Sequence, residues 1–165
     1  LGTAASPSAG AISVLGMDTR LQKDAIRAKV ALLSHQSFLY EDLSALENLV
    51  VLARLLGLAS PRQEAQALLD RVGLAARSHH PVRQFSAGMR KRLAIARLLL
   101  KRPELALLDE PFGELDPEGM AAMESIVAEL KAKGVSVVLA THSIDQGLAL
   151  CDERLHLSNG RAVRA

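Results

Sequence analysis

Five short β-rich runs constrain the fold of this 165-residue chain more than any other feature. Several of these runs are apolar at almost every position and do not alternate between apolar and polar residues, which is typical of strands that are covered on both faces. The sequence therefore predicts an α/β fold built on a mainly parallel sheet. The five runs are Ile12–Leu15, Val30–Leu33, Leu105–Leu108, Val135–Ala140 and Leu155–Leu157.

The second and third runs are separated by about seventy residues with helical character only, which is too long for a simple crossover. Within this stretch, Ser44 and Glu47 have the spacing of a capping box. Ser60 and Gln63 repeat that spacing, with Pro61 at the first helical position. We expect a single domain with an α/β core over residues 1–36 and 104–165, interrupted by a helical subdomain over residues 37–103.

A further helix is expected from about Pro117 to Lys133, because Asp116 precedes it as a cap and Gly134 follows it as a stop. Ser143 and Gln146 show the capping-box spacing once more, just after the fourth β-rich run.

Composition excludes several classes of function. Hydrophobic residues make up 49% of the chain and charged residues 23%, with a net charge of +2, so bulk charge does not favour a nucleic-acid partner. Cys151 is the single cysteine, which excludes a disulfide framework within the chain and suits a reducing compartment. The most apolar stretch is interrupted by Glu47, Asn48 and Arg54, so the sequence predicts no membrane span.

Two adjacent carboxylates, Asp109 and Glu110, follow the run Leu105–Leu108 directly. Two like charges at the end of an apolar strand are unfavourable unless a cation or a proton offsets them. Alternation along the strand directs the two side chains differently, so one would hold a magnesium ion while the other orients or deprotonates a water molecule. In the alternative interpretation, one acid is merely solvated and the other caps a turn.

A helix is expected to begin at Ser86, where Ala87 and Gly88 are small enough to leave backbone N–H groups open to a phosphate. Its first turns carry the basic residues Arg90–Arg92, although the helix dipole favours acidic residues there. A bound anion would reverse that unfavourable interaction. The alternative is an ordinary serine cap followed by solvated basic side chains.

Two more polar residues stand where predicted strands end. His142 follows the run Val135–Ala140, and Gln36 follows the run Val30–Leu33. Each has an ordinary alternative, since a histidine at a strand end is usually a satisfied polar residue and a glutamine there is usually a surface residue. Four such polar features at strand ends or helix starts, in this order along the chain, are a much stronger signal of a functional site than any one of them.

Together these segments resemble the nucleotide-binding subunit of an ABC transporter. The resemblance covers essentially the whole chain, and it implies a P-loop NTPase-like (RecA-like) mainly parallel sheet with an inserted helical subdomain, truncated at its N-terminus. The matching segments are "LLSHQSFLYEDLSALENL" (glutamine loop and start of the helical subdomain), "FSAGM" (signature motif), "LALLDE" (Walker B), "GELD" (D-loop) and "LATH" (switch-histidine loop).

This resemblance implies ATP and Mg²⁺ as the bound groups. Asp109 would support the magnesium ion, and Gln36 would approach both the metal and the attacking water. Glu110 would polarise that water, while His142 would contact the γ-phosphate. These roles are carried over from the family by matching motifs.

The resemblance also implies two partners. A second nucleotide-binding subunit would form a dimer in which Ser86, Ala87 and Gly88 of one subunit face the γ-phosphate held by the other, with Asp116 at the seam. An integral-membrane permease would hold the dimer at the cytoplasmic, inner face of a bacterial cell membrane.

Within the family, the sequence is most similar to export subunits related to the haem exporter of cytochrome c maturation, with multidrug and lipid exporters as alternatives. A soluble ABC-type ATPase acting on chromosomes or ribosomes is a different alternative, although the chain has neither long heptad segments nor a second domain behind a charged linker. A third alternative is a nucleotide-inert remnant.

The sequence departs from the family pattern in several places. It contains no G-x-x-x-x-G-K-[ST] loop, so we expect the chain to begin just after that loop and its helix. On this interpretation the chain alone is inactive and poorly stable, because an incomplete sheet exposes apolar surface and an edge. Ala87 replaces the usual second glycine and Met89 the usual glutamine. Glu114 replaces a small D-loop residue and is expected to weaken closure of the dimer.

Overall fold

A computed structural model describes residues 2–34 and 38–164 of the chain. Seven strands and six α-helices are found in this part, together with short 3₁₀ turns over Ala75–Arg77 and Val82–Gln84. In chain order the elements are β1 (Ser13–Val14), β2 (Met17–Asp18), α1 (Lys23–Lys29), β3 (Val30–Leu33), α2 (Ala45–Leu55), α3 (Pro61–Arg71), α4 (Ala87–Leu100), β4 (Leu105–Asp109), α5 (Pro117–Ala132), β5 (Ser136–Ala140), α6 (Ile144–Leu150), β6 (Leu155–Ser158) and β7 (Arg161–Arg164).

A parallel sheet in the order β3-β4-β5 lies at the centre of the fold. Val30 is in register with Leu105, and Leu105 is in register with Ser136, so the three strands end at the same edge. All residues of β4 from Leu105 to Leu108 are buried, as expected for a central strand covered on both faces. The prediction of an α/β fold with a parallel sheet is confirmed.

Two of the five predicted strand runs lie outside this sheet, in antiparallel hairpins. β1 pairs with β2, and β6 pairs with β7. In the second hairpin, Asn159 and Gly160 both have positive φ angles, which matches the right-handed twist of the flanking strands. The Asn-Gly pair is a strong local signal for such a hairpin.

The helices α2, α3 and α4 lie between β3 and β4 and pack against one another. Leu49, Leu69 and Leu93, one from each helix, are fully buried in the largest apolar core. The capping box at the start of α2 is confirmed: the Glu47 N–H donates to the Ser44 hydroxyl at 3.2 Å, and the Ser44 N–H donates to the Glu47 carboxylate at 2.8 Å.

The other two predicted capping boxes are wrong. Ser60 precedes α3, and Pro61 is its first residue as predicted, but the Ser60 side chain makes no capping bond. Ser143 precedes α6 and makes none either. Both serines have ψ angles of 64–79°, whereas Ser44 has the extended backbone that directs a cap hydroxyl toward the first turn.

The predicted helix after Asp116 is confirmed as α5, with the Asp116 carboxylate accepting from the Gly119 N–H at 2.9 Å. A short helix that we did not predict, α1, places the fully buried Ile26 in a second small core together with Val30 and Leu107. Within residues 2–34 and 38–164, no helix has both the length and the hydropathy needed to cross a bilayer.

Candidate nucleotide site

Asp109 and Glu110 lie at the carboxyl edge of the parallel sheet, as predicted. Asp109 is the last residue of β4 and pairs in register with Ala140, the last residue of β5. The fully buried Pro111 follows and ends the strand, because proline lacks the N–H that a central strand needs. Open α/β sheets bind ligands at this edge.

The structure brings Glu110 together with the segment that follows β5. One carboxylate oxygen, Oε1, accepts from the His142 backbone N–H at 3.0 Å and lies 2.8 Å from His142 Nδ1. The other, Oε2, accepts from the Thr141 hydroxyl at 3.1 Å. In addition, the Glu110 N–H donates to the carbonyl of Ala140 at 2.8 Å. The predicted water-polarising acid and the predicted switch histidine are therefore direct neighbours.

These bonds determine the ionisation of Glu110. Its partial burial raises the pKa, but hydrogen bonds from the His142 side chain, the Thr141 hydroxyl and the His142 backbone N–H outweigh that effect and hold the pKa of Glu110 below its ordinary value. The carboxylate is consequently an acceptor at neutral pH, and Oε2, which accepts one hydrogen bond, keeps a lone pair that a water molecule can use.

Asp109 has the chemistry of a magnesium ligand. It is half-buried, and within residues 2–34 and 38–164 its carboxylate accepts no hydrogen bond, so its oxygens are available to a cation. Hard divalent cations such as Mg²⁺ prefer carboxylate oxygens as ligands. The residue therefore fits the predicted metal role, which stays a prediction. Gln36, the other predicted metal contact, lies outside the described residues.

The predicted helix start is confirmed as the N-terminus of α4. Ser86 is its cap, and the Ser86 hydroxyl accepts from the Met89 N–H at 3.2 Å while remaining able to donate its own proton. Ser86 and Ala87 are exposed. Gly88 packs closely on the loop after Glu110, because a Cβ at that position would lie 2.9 Å from the carbonyl oxygen of Glu114.

The three basic residues in the first turns of α4 bind their own chain. Arg92 donates to both carboxylate oxygens of Asp116, at 2.7 and 3.0 Å, and an Arg90 N–H donates to the Arg83 carbonyl at 3.5 Å. Lys91 is buried, and its Nζ donates to the backbone carbonyl of Glu110 at 2.8 Å. Lys91 and Arg92 are therefore paired within their own chain and are not freely solvated, whereas the anion expected at this helix start stays a prediction.

Asp116 has two structural roles in this chain. It caps α5 and receives the guanidinium of Arg92, and the Gly119 N–H and the Arg92 side chain together lower the pKa of its carboxyl group. The interpretation of Asp116 as a helix cap is thus confirmed. Its place at a dimer seam stays a prediction.

Sequence analysis missed Lys91 as a residue of this site. It stands between two arginines in a run that periodicity alone assigns to the helix surface, and only the position of the loop after β4 brings a partner to it. A signal was nevertheless present, because α4 contains several apolar positions on more than one face.

A protein-family model and individual ATP-binding proteins both match this chain. The family model for ABC transporters matches residues 1–113. Over 165 residues the chain is 37% identical to the daunorubicin resistance ATP-binding protein DrrA3 of Streptomyces coeruleorubidus, covering 99% of this chain and 52% of that protein. It is 37% identical to the lipoprotein-releasing system ATP-binding protein LolD of Hahella chejuensis, covering 97% of this chain and 72% of that protein.

Among solved structures, a dimeric ATP-binding cassette in a post-hydrolysis state, bound to ADP and Pi, superimposes with a TM-score of 0.87 at 25% identity and covers 99% of this chain and 76% of the other. The chain spans about half the length of the daunorubicin-resistance relatives that it matches. The family match over residues 1–113 shows that the chain belongs to the ATP-binding domains of ABC transporters.

Proposed function

We propose that this chain forms part of the ATP-hydrolysing centre of an ABC export system, with Glu110 as the residue that polarises the attacking water. The observation that carries the proposal is the position of the Glu110 carboxylate at the carboxyl edge of the sheet, ionised and held by Thr141 and His142. Phosphoryl transfer to water depends mainly on positioning and on stabilising charge, and a fixed carboxylate supplies the first of these.

The other predicted site residues would each have a separate role near the phosphates. Asp109 would hold a magnesium ion, directly or through water, and the ion would offset phosphate charge. His142 would contact the γ-phosphate through the ring atom that Glu110 does not engage. Gln36 would approach the water and the metal, and would relay their state to the helices that follow it.

Ser86, Ala87 and Gly88 would serve the nucleotide of a second copy. Ser86 and Ala87 are exposed at a helix N-terminus, where the dipole and the backbone N–H groups favour an anion. Within its own chain, Gly88 lies against the loop that follows Glu110, close to the backbone of Glu114. The dimeric state of the ADP-bound structural relative supports this arrangement. Asp116 would then stand near the seam between the two copies.

The proposed transport function rests on the relatives. Their names include daunorubicin resistance, Nod factor export and lipoprotein release, and a phosphonate import protein is also similar. We propose a subunit that docks on an integral-membrane permease at the cytoplasmic face and powers export. The names do not single out haem, so haem export for cytochrome c maturation stays a prediction without support from the relatives.

A Glu110→Gln substitution in the full-length natural protein tests the proposal. The amide keeps the shape of the side chain but loses the charge that polarises water, so ATP turnover should fall by about two orders of magnitude while ATP binding is retained. Turnover is measured by phosphate release and binding by equilibrium titration, both with magnesium present. Wild-type turnover in this variant would remove Glu110 from its proposed role.

A nucleotide-inert chain is the second candidate, and the absence of a G-x-x-x-x-G-K-[ST] loop from the 165 residues favours it for this chain alone. Such a loop provides the backbone N–H groups and the lysine that cradle the phosphates. We therefore expect negligible turnover from the 165 residues by themselves. Normal magnesium-dependent turnover by this chain would contradict that expectation.

A further inference from the structure

We propose that Lys91 is a positioning residue for Glu110. The bond from the Lys91 ammonium to the Glu110 backbone carbonyl fixes the peptide that carries the water-polarising carboxylate. The inference rests on the proposed function of Glu110, and it adds to that proposal a residue that does not touch the nucleotide. Lys91 lies in the second turn of α4, the helix that begins at Ser86.

Burial makes Lys91 unusual. Its exposed fraction is 7%, and lysine side chains are almost never buried unless they are paired. Loss of hydration lowers the pKa of Lys91, whereas the nearby carboxylates of Glu114, Asp109 and Glu110 favour the charged form. The ammonium thus lies among the acids that end β4 and begin the following loop, and it offsets part of their mutual repulsion.

Glu110 needs such a contact because its backbone is left-handed, with φ of 46°. A residue other than glycine is strained in this conformation and keeps it only where its surroundings hold it there. The Glu110 N–H is fixed by Ala140 of β5, and the carboxylate is fixed by residues that follow β5.

The carbonyl of Glu110 is held differently. Among the described residues it accepts from the Gly113 N–H at 3.3 Å, which is a bond inside its own turn, and from Lys91 Nζ at 2.8 Å. Lys91 is consequently the contact by which a separate element, α4, holds this side of the peptide. Without it the peptide can rotate toward an unstrained conformation, and the carboxylate is displaced with it.

Lys101 provides a matched control, because it makes the same kind of bond at the other end of α4. Its Nζ donates to the carbonyls of Arg27 and Val30, and burial lowers its pKa as well. Neither of its partners belongs to the candidate site. Replacing Lys101 therefore removes a partly buried lysine–carbonyl bond without touching the loop at Glu110.

The experiment compares Lys91→Met and Lys101→Met in the full-length natural protein. Lys91→Met should lower kcat by about tenfold or more, since a small misplacement of a reacting group has effects of that size. The KM for ATP should stay within about twofold, because the lost interaction acts on the reaction step. Lys101→Met should lower the thermal stability about as much as Lys91→Met does, but it should leave kcat within about twofold of wild type. Lys91→Arg retains donors and should recover part of the rate.

A double-mutant cycle with Glu110→Asp tests whether the loss of kcat in Lys91→Met acts through the Glu110 carboxylate. If Lys91 acts through the Glu110 carboxylate, Lys91→Met should cost much less in the Glu110→Asp background, whose carboxylate is already displaced. Equal losses in both backgrounds, or wild-type kcat in a folded Lys91→Met protein, would overturn the inference. Failure of the proposed function has another signature, namely wild-type turnover in Glu110→Gln.

Discussion

The helical region α2–α4 buries more of its apolar residues than the C-terminal region β5–β7 does. In the helical region, Leu49, Leu69 and Leu93 have an exposed fraction of 0%. In the C-terminal region, Ile144 is 67% exposed and Leu157 is 71% exposed. Both regions form regular secondary structure, so element formation alone does not produce a core.

The difference shows that an apolar face is buried only where other helices or strands of the chain pack against it. Each of α2, α3 and α4 presents its apolar stripe to the other two, and together they form one core with the sheet. Among the described residues strand β5 pairs with one strand only, β4, and an open cleft of about 930 Å³ lies between β5, α6 and the start of β6. Stability should therefore be concentrated in the helical region.

The largest expected loss of stability follows from shortening a buried side chain in the core of the helical region. Leu49→Ala should lower the free energy of unfolding by about 3 kcal/mol, because it removes buried methyl groups and leaves a cavity. The matched change in the C-terminal region, Leu157→Ala, should stay within about 0.5 kcal/mol of wild type, since the side chain is exposed. Urea unfolding followed by circular dichroism measures both. Equal losses would mean that the two regions contribute alike.

A smaller effect is expected from the helix caps. Ser44→Ala removes a capping box whose two bonds are formed and should cost about 1 kcal/mol. Ser143→Ala removes the serine that precedes α6, whose side chain makes no capping bond. It should lower the free energy of unfolding by only about 0.1 to 0.2 kcal/mol. The same unfolding measurement applies. A loss at Ser143 as large as that at Ser44 would contradict the comparison.

Features controlled by local sequence could be predicted. The parallel strands follow from their apolar runs, and the caps at Ser86 and Asp116 follow from residue type and spacing. The boxes at Ser60 and Ser143 failed because spacing does not determine the backbone conformation of the cap residue. The convergence of Glu110 and His142 could be predicted as well, because parallel strands end at the same edge.

Partners brought by tertiary structure could not be predicted. Lys91 and Arg92 are neighbours in sequence, yet one turns inward to the Glu110 carbonyl and the other reaches Asp116. Their partners lie 19 and 24 residues away along the chain, and no local pattern relates them. Nearby acids of the same chain offset the unfavourable pairing of Lys91 and Arg92 with the helix N-terminus, and a bound anion there stays a prediction.

Mixed dimers of the full-length natural protein test most directly whether Glu110 of one copy and Ser86 of another act on the same nucleotide. Dimers are prepared that carry Glu110→Gln and Ser86→Arg either on different copies or on one copy, with the other copy unchanged. ATP turnover is then compared. Turnover should persist when the changes are on different copies and be lost when one copy carries both. The reverse pattern would show that Glu110 and Ser86 of the same copy act on one nucleotide, which would contradict the proposed shared site.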